Sequence, residues 1–176
     1  MEAEELNEEA KLAYKEKNFE KAAEYLLRAV NLCPIEGMYF YELGNVYNEL
    51  KKYKEAVSCY STAIEYGYKL EKSYLGRANA WSSMDENEKA IDDYTEVLKI
   101  NENSLDARRS RGMLYNNCGE YEKAIEDFDF VLEKKPDDML TPLLRFAAHT
   151  NLGMKEEAQR DIEHWDREWG QLDKPN

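Results

Sequence analysis

Residues 41–64 read YELGNVYNELKKYKEAVSCYSTAI, and this stretch decides the fold. Its apolar and small residues, Leu43, Gly44, Tyr47, Ala56, Tyr60 and Ala63, recur at spacings of three and four on either side of the polar Lys51-Lys52. Such spacing predicts two amphipathic helices joined by a short turn. Outward from this hairpin the pattern recurs. Ala22, Ala56, Ala90, Ala124 and Ala158 stand 34 residues apart without slippage. A fixed period of this length is the signature of stacked supersecondary units, each too small to bury its apolar face alone.

Other columns keep the same register. Four residues after each alanine come Leu26, Tyr60, Tyr94, Phe128 and Ile162; seven after come Ala29, Ala63, Val97, Val131 and Trp165. Twelve before it stand Ala10, Gly44, Ala78 and Gly112, small residues that let two helices approach, with Phe146 breaking the column. Nine before it stand Ala13, Tyr47, Trp81, Tyr115 and His149. Turns are expected near Lys17-Asn18, Lys51-Lys52, Glu86-Asn87, Cys118-Gly119 and Gly153-Met154, and block junctions near Pro34, Gly67, Asn101-Glu102 and Pro136.

These columns resemble the tetratricopeptide repeat. Leu43-Gly44, Tyr47, Ala56, Tyr60 and Ala63 carry the resemblance, as do Gly112, Tyr115, Ala124, Phe128 and Pro136. It implies an all-α fold, a right-handed α-solenoid superhelix of ten helices in five pairs. One domain over 1–176 is expected, with repeats at about 3–36, 37–70, 71–104, 105–138 and 139–172.

The resemblance also implies a non-enzymatic interaction module or scaffold whose concave groove, lined by the first helix of each pair, binds a peptide or partner protein. Groove positions fall between the core columns: Tyr41, Asn45, Asn48, Lys72, Leu75, Asn79, Arg109, Met113, Asn116, Leu143 and Ala147. Asparagines recur there (Asn45, Asn79, Asn117, Asn151), and an amide can donate to and accept from an extended peptide backbone. Apolar groove residues thicken toward the fifth repeat, which suits apolar anchors.

One specialised mode is disfavoured. The family members that grip the acidic C-terminal peptides of heat-shock chaperones use Lys and Asn on one first helix, Asn on the next, and Lys and Arg on the third. The matching residues are Asn7, Lys11, Glu42, Lys72 and Gly76 from repeat one, or Tyr41, Asn45, Gly76, Asp106 and Ser110 from repeat two. From repeat three they are Leu75, Asn79, Ser110, Leu140 and Leu144. No window assembles the two-carboxylate clamp, and Glu42 would repel a carboxylate.

A second ladder lies in the charges. Arg77, Arg111 and Arg145 share one column, where repeat two has Leu43; sixteen residues after each lies Asp93, Asp127 or Asp161, and sixteen after Leu43 lies Cys59. Polar switches with polar and apolar with apolar, which predicts three intra-repeat pairs crossing the helix hairpin. A ligand-binding arginine ladder is the alternative, and the matched aspartates argue against it.

The remaining composition narrows the function. Net charge is −13, from 24 basic and 37 acidic residues, which repels nucleic acid and anionic membrane surfaces. No stretch approaches the apolar length of a membrane span, and Met1 to Glu9 carry glutamates rather than a signal-peptide run, so a cytoplasmic location is expected. Cys33, Cys59 and Cys118 form no CxxC pair; neither metal nor disulfide framework is expected. With only His149 and His164, no nucleophile context and no phosphate loop, catalysis and cofactors are not expected. His149 reads as a packed core histidine.

The ends of the array break its regularity. Repeat one has a glutamate-rich first helix, with Glu9 in the Leu/Arg column. Repeat five carries Pro142, Phe146, His149, and Trp165 and Trp169 one turn apart. Gly170 to Asn176 are too few for a capping helix. The tryptophans either fold back onto repeat five or form an apolar patch for end-to-end association. A monomer is expected over a homodimer, with a structural or self-associating protein as the alternative function.

Overall fold

The computed structural model of the chain describes residues 2–170, and these form ten α-helices and no strand. In order they are α1 (Ala3–Lys15), α2 (Phe19–Leu32), α3 (Gly37–Glu49), α4 (Tyr53–Glu65), α5 (Leu70–Ser82), α6 (Asn87–Ile100), α7 (Leu105–Asn117), α8 (Tyr121–Lys134), α9 (Thr141–Asn151) and α10 (Lys155–Trp169). Each of the five anticipated blocks holds one helix pair. The expectation for the tail after Gly170 concerns residues 171–176, which, with Met1, lie outside the described residues.

The turn inside each pair is one structure repeated five times. Lys17, Lys51, Asp85, Gly119 and Gly153, again 34 apart, have φ between 57° and 80°. Each follows a first helix that closes with two reverse hydrogen bonds. In repeat one Asn18 N–H reaches Ala13 O and Lys17 N–H reaches Tyr14 O; in repeat five Met154 reaches His149 and Gly153 reaches Thr150. This is a Schellman close, which pairs the orphan carbonyls at a helix end and demands a left-handed residue. Only repeats four and five place glycine there.

The chain divides into two compact units, Met1–Asn101 and Glu102–Asn176. In the first, Ala22, Ala56 and Ala90 are wholly buried, where each second helix meets its partners. Tyr60 fills the centre of this unit and explains two glycines. A Cβ on Gly44 would stand 2.8 Å from its ring, and one on Gly76 would stand 2.5 Å away. Both distances lie inside van der Waals contact, so the ring is admitted because those side chains are missing. Burial pushes the Tyr60 hydroxyl pKa up, and it pushes the Cys59 thiol up to about 12, a packed rather than reactive sulfur.

In the second unit, Ala124, Phe128 and Ala148 form the buried cluster, with Tyr115, Tyr121, Ile125 and Leu144 against it. Gly112 repeats the close approach: a Cβ there would be 2.7 Å from the Phe128 ring.

All three arginine–aspartate pairs form. Arg77 Nε and Nη2 donate to the two oxygens of Asp93 at 2.8 and 2.7 Å, and Arg111 binds Asp127 in the same way at 2.8 and 2.8 Å. Arg145 differs, because both its contacts, at 2.9 and 2.6 Å, fall on Asp161 Oδ1. The other oxygen, Oδ2, is 2.7 Å from His149 Nδ1. His149 is thus a buried histidine tied into the arginine ladder. The same arginines also reach back sixteen residues: Arg77 Nη1 donates to Ser61 Oγ at 2.8 Å, and Arg145 Nη1 to Asp129. Arg77 and Arg145 therefore tie their own hairpins to the helix before them.

Candidate functional site

In the first unit, the first helices α1, α3 and α5 bound two neighbouring recesses. One, between α3 and α5, has a volume of about 310 Å³ and is lined by Tyr41, Asn45, Asn48, Lys72, Leu75 and Asn79 together with Tyr14, Glu49, Tyr60 and Gly76. All six groove positions expected in this unit line that recess. The other, between α1 and α3, is lined by Asn7, Ala10, Lys11, Tyr14, Lys15, Leu26, Glu42, Asn45 and Val46.

The floor of the first recess is a hydrogen-bond network. Tyr60 Oη donates to Asn45 Oδ1 at 2.9 Å and accepts from Asn48 Nδ2 at 3.1 Å; Asn45 Nδ2 donates to Glu42 at 3.3 Å. Tyr94 Oη likewise donates to Asn79 Oδ1 at 2.6 Å. Asn45 and Asn79 each accept one hydrogen bond from a tyrosine of their own hairpin, which fixes the orientation of both amides. Asn48 is different, because its Oδ1 is buried and has no partner. Lys72 is exposed and Leu75 half-exposed, so both keep accessible surface at the recess they line.

Electrostatically the recess is mixed. Tyr14 Oη donates to Glu49 at 3.1 Å, and burial with that carboxylate nearby pushes the Tyr14 pKa up to about 12. Lys69 lies over the Tyr41 ring at 4.8 Å, an aromatic contact for a cation. Gly76, which occupies the arginine position of the chaperone-clamp window starting at repeat one, has no room for a side chain beside Tyr60.

In the second unit the expected groove residues do not all stand free. Arg109 donates to Asp138 at 3.0 Å and to Asp106 at 2.7 Å. Met113 is exposed, Leu143 and Ala147 are half-buried, and Asn116 Oδ1 is buried without a partner. Trp165 folds back, donating its indole N–H to Met139 O at 3.0 Å. Trp165 and Trp169 are both half-buried, while Met139 and Leu140 remain exposed.

Sequence columns hid the tyrosine–asparagine bonds, although a signal existed. Asn45 with Tyr60 and Asn79 with Tyr94 are each fifteen apart, and repeat four changes both columns at once to Met113 and Phe128. Among the described residues no group of three His, Cys, Asp or Glu is arranged to hold a metal ion. Nor is any described helix long and apolar enough to cross a membrane.

A family model of the tetratricopeptide repeat matches residues 39–66 and 110–138, which fall on the second and fourth helix pairs. No curated protein sequence matches the chain. Solved structures resemble it closely in fold. The MamA protein superposes with a TM-score of 0.89 at 18% identity, over 94% of this chain and 91% of that one. YrrB, a tetratricopeptide repeat protein with an unusual peptide-binding site, gives 0.86 at 20% identity, over 94% and 86%. A tetratricopeptide repeat protein from Parabacteroides merdae gives 0.87 at 26% identity, over 96% and 67%.

Proposed function

We propose that the chain is a tetratricopeptide repeat protein, on the family match to its second and fourth helix pairs, and that it is a non-enzymatic protein-interaction module. Its 1–176 repeats act as one scaffold, and a partner segment lies along the first helices, in the α3–α5 recess of the first unit. The single observation that carries this reading is the convergence of Tyr41, Asn45, Asn48, Lys72, Leu75 and Asn79 on one recess. Accessible Lys72 and Leu75 supply a charge and an apolar contact beside a floor locked by Tyr60. A rigid floor with a few accessible side chains is how a preformed groove binds an extended peptide without spending its own order. Arg109, Met113, Asn116, Leu143 and Ala147 are the corresponding first-helix residues of the second unit. The peptide-binding site of YrrB, a likeness in fold, supports the reading in kind.

A photo-cross-linking amino acid placed at position 75 tests it, with position 27 on a second helix as control. The expected result is capture of a partner segment at 75 and none at 27. Equal capture at both positions would refute groove binding.

A second reading is favoured by one feature. Exposed Met139 and Leu140 adjoin the Trp165 anchor, leaving apolar surface in repeat five that could serve self-association, with Trp169 beside Trp165 on the same helix. Sedimentation of the parent and of Trp165→Ala plus Trp169→Ala decides: concentration-dependent mass lost in the variant supports it, and a monomer in both removes it.

A further inference from the structure

The recess between α1 and α3 contains a polar atom whose presence the fold does not account for. Asn7 is 1% exposed, and its Oδ1 has no hydrogen-bond partner. A buried amide oxygen left unmet is costly, so native structures hold few without a reason. Asn7 lines a recess of about 220 Å³ with apolar walls from Ala10, Leu26 and Val46. Glu42, on α3, lines the same recess, and its carboxylate can only accept hydrogen bonds.

Glu42 Oε2 already accepts from Asn45 Nδ2 at 3.3 Å, but the nearby cations leave Glu42 Oε1 and the Asn7 oxygen open. Lys11 also lines the recess but turns its ammonium onto Glu8 at 2.6 Å, and Lys15 is exposed. Lys69 stops 4.0 Å from Glu42 Oε1, beyond hydrogen-bonding range, and rests over the rings of Tyr41 and Tyr68. The recess thus joins an apolar wall to two acceptors, one of them charged.

We propose that this recess is a subsite for a basic side chain, arginine or lysine, of the partner segment. The aliphatic stem lies against Ala10, Leu26 and Val46, and the cationic head donates to Asn7 Oδ1 and the Glu42 carboxylate. Long basic side chains bury their stems and carry donors alone at the tip, which matches this wall and these acceptors. The chain's net charge of −13 draws cationic segments toward it. This inference rests on the groove-binding reading and names what that partner must carry at one position.

The test is a titration of the full chain, followed by amide and side-chain NMR, with N-acetyl-arginine N-methylamide and its glutamine and glutamate counterparts. The arginine probe is expected to shift the Asn7 side-chain amide, and Glu42→Gln to weaken it by about tenfold, the worth of one charge-assisted hydrogen bond. Asn7→Leu removes the unmet oxygen, so the variant is expected to melt no lower than the parent while losing the probe. Equal binding of the glutamine probe, preference for the glutamate probe, or arginine shifts away from Asn7 would overturn the proposal. If Asn7→Leu does not fold, Glu42→Gln decides alone: undiminished arginine binding sinks the subsite. A partner captured at position 75 while the arginine probe ignores Asn7 removes only the subsite. A selective probe with no capture at 75 removes only the groove reading.

Discussion

Tyr60 Oη lies 2.9 Å from Asn45 Oδ1 and donates to it, tying the second helix of repeat two to the recess face of its first helix. Repeat four replaces this pair by Met113 and Phe128, a wholly apolar solution at the same offset. Tyr60→Phe strands the Asn45 oxygen and the Asn48 amide, and is expected to cost about 1–3 kcal/mol. Asn45→Met combined with Tyr60→Phe copies repeat four and should recover most of that loss in urea unfolding. Double-variant loss equal to the sum of the singles would show that the two positions are not coupled.

Arg77 and Asp93 pose the same question with charges. Asp93 is buried, and its two oxygens are both held by the guanidinium. Arg77→Leu leaves a buried carboxylate without its cation, which should cost on the order of 3–5 kcal/mol. Repeat two shows the alternative, because Leu43 and Cys59 fill the corresponding columns. The double variant Arg77→Leu with Asp93→Cys is therefore expected to be more stable than Arg77→Leu alone in chemical denaturation. A double variant no better than the single would mean that the apolar pair needs other features of repeat two.

How much of this was legible follows from where each interaction lies relative to the repeat. The alanine ladder, the helix pairs and the arginine–aspartate pairs all obey fixed offsets, so comparing columns revealed them. The Tyr60–Asn45 bond obeys an offset too, but Asn117 and Asn151 obscured it. They stand one helical turn beyond the Asn45 column and made asparagine look like a property of the groove. Arg109 was illegible for another reason. Its partner Asp138 sits in the loop before α9, where spacing carries no helical phase. The unmet oxygen of Asn7 depends on what is missing around it, and no spacing reports that.

The left-handed turn residues give a prediction that touches no side-chain contact. Lys51 has φ 57° and Lys17 φ 59°, a region where an L-residue pays roughly 1–2 kcal/mol. Gly119 and Gly153 fill the same column without that strain. Lys51→Gly is expected to raise stability by about 0.5–1 kcal/mol, after the greater freedom of glycine in the unfolded chain is set against the relief. Asp85→Gly should gain less, since aspartate tolerates this conformation better. Thermal unfolding reads both, and a lower melting temperature for Lys51→Gly would contradict the strain assigned to the turn.

Asp138 makes the stability of the second unit depend on pH. Burial opposes ionisation of its carboxyl, but the Thr141 N–H and hydroxyl, the Arg109 charge and the Leu140 N–H together outweigh it. Its pKa is held below the ordinary value of 3.8. The carboxylate accepts from Thr141 N at 2.9 Å and Thr141 Oγ1 at 2.8 Å, turning the chain into α9, and from Arg109 at 3.0 Å. A depressed folded pKa adds stability above the unfolded pKa and loses it as pH falls through the folded value. Asp138→Ala is therefore expected to cost about 1–2 kcal/mol near neutrality, the worth of a helix-start carboxylate. The gap between variant and parent should narrow only once pH drops below about 3.9, where the unfolded chain begins to bind the proton. Urea unfolding of both proteins from pH 7 down to pH 2.5 measures it. A gap that stays constant across that range would mean that the carboxylate's charge contributes nothing at this turn.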